Sequence, residues 1–201
     1  MKIKKQDKII LSITGLLLLL ITILVMFDKT SFIDNFVYDL IMTFNSSFMT
    51  NIMMFITNAG GILFIIALVV VIMLLIKKER LFFPILAIIT TITNQSLKYI
   101  FQRPRPETTL LVESGFSFPS GHSMISTTLY LYLCQIIIKN TDKKYHNFIY
   151  ISTIVLISLI CISRIYLGVH YFTDVFAGIL LSLTILILFK YLKNYIQKKI
   201  R

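Results

Sequence analysis

Long apolar runs separated by short polar groups dominate the chain from its first residues to its last. A helix rises about 1.5 Å per residue and the hydrocarbon core of a bilayer is about 30 Å thick, so about 20 largely apolar residues suffice to cross it. Six stretches meet or approach this requirement: 9–27, 52–76, 81–100, 122–139, 147–166 and 173–192. Each is expected to be helical, because lipid offers an irregular backbone no hydrogen-bond partner. Several have uninterrupted apolar cores of only about 15 residues, worth about 22 Å. Their polar ends must therefore reach the interface or face protein, as with Thr93, Asn94, Gln95 and Ser96 at the end of the third stretch. The pattern predicts an all-α, polytopic membrane protein of six transmembrane helices. It reads as one domain over residues 1–201, without linker, repeat or low-complexity segment.

Composition supports the bilayer as solvent. At 57% hydrophobic and 14% charged, 201 residues carry more apolar surface than one soluble core could hide. The net charge of +11 does not point to nucleic acid, because the basic residues sit at the ends of apolar runs and form no stripe interleaved with aromatics. Cys134 and Cys161 both fall inside apolar runs, without disulfide or metal-ligand spacing, and read as packing residues. The basic start, Met1 to Lys8, followed by Ile9 to Phe27 resembles a signal peptide. Its apolar core is too long, however, and no small-residue cleavage site follows, so it is expected to be an uncleaved first span. Lys and Arg divide unevenly between alternate ends of the six stretches. Fifteen fall on the side of the N-terminus, Lys2 and Arg201 among them. Five fall opposite: Lys29, Lys98, Arg103, Arg105 and Arg164. Because cytoplasmic loops carry the excess, both termini are expected in the cytoplasm of a cell-membrane protein.

Four of those five outer cations lie in or beside segments that also hold two of the three histidines, a clustering that topology alone does not require. The segments are Lys98 through Arg105 and Pro106; Pro119, Ser120, Gly121 and His122; and Ser163, Arg164, His170 and Asp174. Guanidinium groups bind phosphate oxygens bidentately and a lysine adds a point charge. Gly121 would let backbone approach closely, and Ser120 is a good N-cap for a helix whose first amides and dipole favour an anion. A receptor for a dianionic phosphate results. One histidine could attack phosphorus while the other protonates the departing oxygen. Asp174, one helical turn after His170, could hold that ring's other nitrogen and fix its tautomer. With cations neutralising the transferring group, no metal or other cofactor is required in principle.

These segments resemble the complete signature of the type 2 phosphatidic acid phosphatase superfamily, whose relatives include bacterial acid phosphatases and vanadium haloperoxidases. The resemblance spans Lys98 to Asp174, with three motifs in the family's order and no departure at a signature position. It implies His170 as a nucleophile forming a phosphohistidine, Asp174 as its orienting partner and His122 as general acid. It further implies Lys98, Arg105, Ser120, Gly121 and Arg164 as phosphate-binding residues, with the site at the extracytoplasmic end of the bundle. The implied substrate is a lipid phosphate in the outer leaflet, with membrane lipids around it and no obligate protein partner. Short length and small loops look most like phosphatidylglycerophosphate and undecaprenyl diphosphate phosphatases, and phosphatidic acid is a further candidate. A lipid transporter or scramblase, or a non-catalytic membrane scaffold, would also suit six spans. Neither explains two histidines and an aspartate at these spacings.

Other residues carry blander expectations. Lys98 alone would be a snorkelling lysine, and gains meaning from Arg105 in register. Arg103 misses the family spacing and is expected at lipid headgroups or solvent. His146, beside Lys143 and Lys144, is expected to be solvated. Thr57, Asn58, Gly60 and Gly61 are expected to serve helix packing rather than a groove. Tyr99, Phe101, Phe116, Phe118, Tyr166, Tyr171 and Phe172 are expected to form an interfacial belt.

Overall fold

A computed structural model describes residues 3–107 and 109–200, so Met1, Lys2 and Arg201 of the termini lie outside the described residues. The helices are α1 (Lys5–Met26), α2 (Ser31–Met42), α3 (Ser47–Thr57), α4 (Ile62–Leu75), α5 (Phe82–Phe101), α6 (Gly121–Ile138), α7 (His146–Tyr166) and α8 (Phe172–Ile200). No strand occurs among the described residues. Apolar side chains cover the outside of the bundle, with Leu63, Leu74 and Phe148 each more than 70% exposed, as expected where lipid replaces water. The chain is a membrane protein. Helices Lys5–Met26, Lys143–Tyr166 and Phe172–Lys199 are each long and apolar enough to cross a bilayer.

Helix α6 is the hub, packed against α5, α7 and α8. Ser123, Ser126, Thr127 and Thr128 are buried on it, and such small side chains let neighbouring backbones come close. The approach is close at Gly178 of α8, where an added Cβ would lie 3.1 Å from both the Ser120 carbonyl oxygen and Ser123 Cβ. Apolar layers fill the remainder. Phe83, Leu86, Met124, Leu129 and Phe189 pack in one layer, while Val25, Phe118, Ala177 and Leu180 pack where α1 meets α8.

Polar ties mark the two ends of the bundle. At one end Lys190 and Tyr191 donate to Asp7, and Tyr132 and Lys193 donate to Glu79. This end gathers the basic clusters of α1, α8 and the 77–79 turn. At the other end the 102–120 loop folds over the helix tips.

The expected span 52–76 is corrected. Residues 52–57 belong to α3, a 3-10 turn follows over Asn58–Gly60, and α4 begins only after the extended Gly61. Two adjacent glycines and a Thr57 hydroxyl engaged by Arg164 make the helix turn here instead of continuing. Helix α2 lies outside the expected spans and α3 overlaps one only over residues 52–57; the two bend by 116° relative to each other. Both cap the end that carries the loop: Met53 packs on Tyr166, Leu167 and Val169, and Val37, Tyr38 and Ile41 pack on the cluster around Ile165 and Val175.

Candidate active site

Helix α5 ends because Gln102 takes the left-handed conformation (φ 46°), its N–H closes on the Lys98 carbonyl at 2.9 Å, and Pro104 cannot continue a helix. Lys98 is thereby left on the last turn, largely buried, with its ammonium donating to the carbonyls of Phe116 and Ser117. Arg105 folds back over the loop. Its Nε and Nη2 donate to the Gly115 and Ser114 carbonyls at 3.1 and 3.0 Å, and its Nη1 donates to Val169 O at 2.8 Å. Burial pulls Arg105 below its ordinary pKa, although a guanidinium stays charged at any working pH.

Ser120 caps α6, its hydroxyl accepting from the Ser123 N–H at 3.4 Å and from the Ser123 hydroxyl at 2.9 Å. Gly121 follows, so close to Asn94 that a Cβ would sit 3.1 Å from its Oδ1. Asn94 is itself held by donation to the Pro119 carbonyl at 3.0 Å.

His170 lies between α7 and α8 and is 3% exposed. Its Nδ1 is 3.5 Å from Asp174 Oδ2 and 3.2 Å from the Ser117 hydroxyl, which donates to the same carboxylate oxygen. Its Nε2 is 3.4 Å from Arg105 Nη1. Burial pushes the His170 ring down to about 4, against the opposing pull of Asp174, so the ring is neutral at physiological pH. Asp174 is fully buried and also accepts from the Tyr171 N–H at 2.9 Å and Arg103 Nη1 at 2.6 Å.

Lys98, Arg105, Gly121, His122 and His170 line one cavity of about 440 Å³, together with Asn94, Gln95, Tyr99 and the 113–116 segment. A second, more apolar cavity of about 170 Å³ runs between α4 and α5 and shares Asn94, Gln95, Gly121 and His122 with the first. Two expected phosphate ligands do not reach the main cavity. Ser120 is buried beneath Gly121. Arg164 is fully buried, donating to Thr57 Oγ1 at 2.6 Å and to Glu113, with its Nε lacking a partner.

Arg103 corrects its expectation outright. Its guanidinium bridges two carboxylates, Asp34 at 2.8 Å and Asp174 at 2.6 Å, donates to the Thr30 and Thr173 hydroxyls, and stacks 4.0 Å from the Tyr171 ring centroid. Two buried acids outcompete headgroups for it. Asp34, Ser117 and Glu113 are site residues that the sequence did not disclose. The available signals were faint: Asp34 is an acid within an apolar segment, and Ser117 and Glu113 lie in the one long loop between signature segments.

Residues 80–198 match the PAP2 superfamily, and the chain belongs to it. It is 41% identical over 102 residues to phosphatidylglycerophosphatase B of Bacillus subtilis (strain 168), and 32% identical over 115 residues to sphingosine-1-phosphate phosphatase 1 of Rattus norvegicus. These alignments cover 49% and 52% of this chain, but only 50% and 26% of those proteins, so the chain spans half or less of the curated relatives it matches. The crystal structure of a transmembrane PAP2-type phosphatidylglycerolphosphate phosphatase from Bacillus subtilis superposes with a TM-score of 0.84 at 29% identity, covering 92% of this chain and 96% of that one. Aquifex aeolicus LpxE shares the fold at a TM-score of 0.61 and 23% identity, over 77% of this chain and 92% of that one.

Proposed function

We propose that this protein is a membrane phosphatase that hydrolyses the phosphomonoester or diphosphate of a lipid through a phosphohistidine, without a metal. The observation that carries the reading is the convergence of His122, His170, Lys98 and Arg105 on one cavity, with Asp174 behind His170. Donation from Nδ1 toward Asp174 leaves the Nε2 lone pair facing the cavity, where it accepts only a long contact of 3.4 Å from Arg105 Nη1 that an incoming phosphate would take over. That nitrogen attacks phosphorus, the bond to the lipid oxygen breaks, and His122 gives the departing oxygen its proton. Water then attacks the phosphohistidine, His122 takes back a proton, and phosphate leaves with the His170 ring restored. Lys98 and Arg105 neutralise the equatorial oxygens throughout, which is the task a metal would otherwise perform. Among the charged residues of the cavity wall, Lys98 and Arg105 outnumber the one carboxylate, Glu113, a poor donor set for a divalent ion.

The adjoining apolar cavity between α4 and α5 supports a lipid, because its wall of Ile62, Ile65 and Ile125 gives a chain an apolar path away from the headgroup. Phosphatidylglycerophosphate, undecaprenyl diphosphate and phosphatidic acid all fit this chemistry. For topology, the reading takes α1, α4, α5, α6, α7 and α8 as six crossings, with α2 and α3 at the outer surface. Helices α5 and α6 are about 30 and 27 Å long, and their inward-facing Thr90, Asn94, Ser126 and Thr127 account for their lower hydropathy. The Lys-rich end, opposite the cavity, then faces the cytoplasm, and headgroups enter from the outer leaflet.

The test is phosphate release from the three lipids by purified protein in detergent. Turnover is expected on at least one of them, abolished by His170→Ala and unaffected by EDTA. Wild-type inactivity on all three would overturn the reading, and inhibition by EDTA reversed by a divalent metal would overturn its metal-free part.

A further inference from the structure

The loop between the first two signature segments brings a carboxylate, Glu113, into a cavity whose other charged wall residues are the cations Lys98 and Arg105. Glu113 accepts from Arg164 Nη2, and its second oxygen lies 3.4 Å from Arg105 Nη2. It is therefore bound as an incoming phosphate would be, one oxygen to each of two guanidinium groups. Its side chain lines the cavity and is 26% exposed, whereas Arg164 behind it is fully buried and does not line the cavity. The loop that carries Glu113 is tied mainly through backbone carbonyls, Ser114 and Gly115 to Arg105 and Phe116 to Lys98. Those donors belong to the same cations that a phosphate would recruit.

We infer that Glu113 is a resident anion: its carboxylate occupies the position of one phosphate oxygen pair, and substrate must displace it from Arg164 and Arg105 to bind. The inference rests on the phosphatase reading and adds a determinant of affinity to it. Without an anion, two guanidinium groups and a lysine would face one another across a partly buried cavity, at a Coulomb cost that a built-in carboxylate removes. The same carboxylate sets a threshold for entry. A small anion such as free phosphate has only its charge with which to compete, whereas a lipid adds the apolar contacts of its chain in the neighbouring cavity. Free product is held weakly as a consequence, and leaves as Glu113 returns.

Removing the charge should expose the anion site. The experiment compares wild type, Glu113→Gln and Glu113→Asp for inhibition by inorganic phosphate and orthovanadate during turnover of a lipid phosphate, with thermal melting to report folding. Glu113→Gln is expected to bind both anions about tenfold more tightly, the scale of one charge-assisted contact, and to lower KM. Glu113→Asp keeps the charge but cannot span both arginines, and is expected to fall between. Unchanged or weaker anion inhibition in a folded Glu113→Gln protein would overturn the inference while wild-type turnover leaves the phosphatase reading intact. If Glu113→Gln does not fold, the Asp variant decides in the same way, since anion affinity equal to or below wild type contradicts displacement. Absence of wild-type turnover would instead defeat the phosphatase reading itself.

Discussion

His170 is a neutral imidazole buried among charges, and this fixes both its chemistry and its effect on stability. Its pKa in the folded protein is pushed down to about 4 from an ordinary 6.5, chiefly by burial. Between those values the unfolded chain binds a proton that the folded protein does not, so stability falls as pH drops through that window and the loss levels off below about 4. The full effect is about 3 kcal/mol. Thermal melts in detergent at pH 7 and pH 5 should therefore separate, and His170→Gln should shrink the separation. An equal pH dependence in both proteins would contradict this account of the ring. The residues that bear the proposed chemistry were legible because His122, His170, Asp174, Lys98 and Arg105 stand at spacings that ordinary topology does not demand. Ser117 was not, since a serine acquires its role only by lying between a ring nitrogen and a carboxylate from a distant segment.

Among the elements, the least expected is the α2–α3 cap. Its sequence mixes exposed Phe32, Phe36 and Phe48 with Asp34 and Asp39, and although the two helices together are apolar enough for a span, the 116° bend between them is not visible in periodicity, which alone could not place them. Packing places it: Asp34 accepts from the Thr173 N–H at 2.9 Å and from Arg103, which ties the cap to the start of α8 and to Asp174. Arg103 thus acts on His170 through Asp174, as a positioning residue. Its replacement by alanine would strand two buried carboxylates. The expected outcome is a loss of about 3 kcal/mol in stability and a fall in kcat larger than any change in KM, with partial rescue by Arg103→Lys. A change confined to KM would contradict the positioning role. The break at Gly60 and Gly61 was hidden for a similar reason. Adjacent glycines in an apolar run look like packing, and Gly60 does pack, since a Cβ there would meet Ser126 Oγ at 2.8 Å and His122 Cδ2 at 3.0 Å, but it also lines the second cavity. The same contact ends one helix and starts another.

Across the whole molecule, apolar runs disclosed an all-helical membrane protein because lipid makes that pattern nearly obligatory. They did not disclose which runs cross, because α5 and α6 carry polar faces inward and α4 is only 14 residues long. The proposed sidedness predicts that a cysteine at Val112, 95% exposed on the loop over the cavity, is labelled by an impermeant maleimide from outside intact cells. The buried Cys134 and Cys161 should stay silent as controls. Labelling only after the cytoplasm is opened would reverse the topology. The central claim is covalent transfer of phosphate to His170, and rapid quench with a phosphate-labelled lipid tests it most directly. The account predicts an acid-labile, base-stable phosphoprotein that forms within the first turnover and is absent from His170→Ala. Full turnover by wild type with no labelled protein at any quench time, or label persisting in His170→Ala, would contradict it.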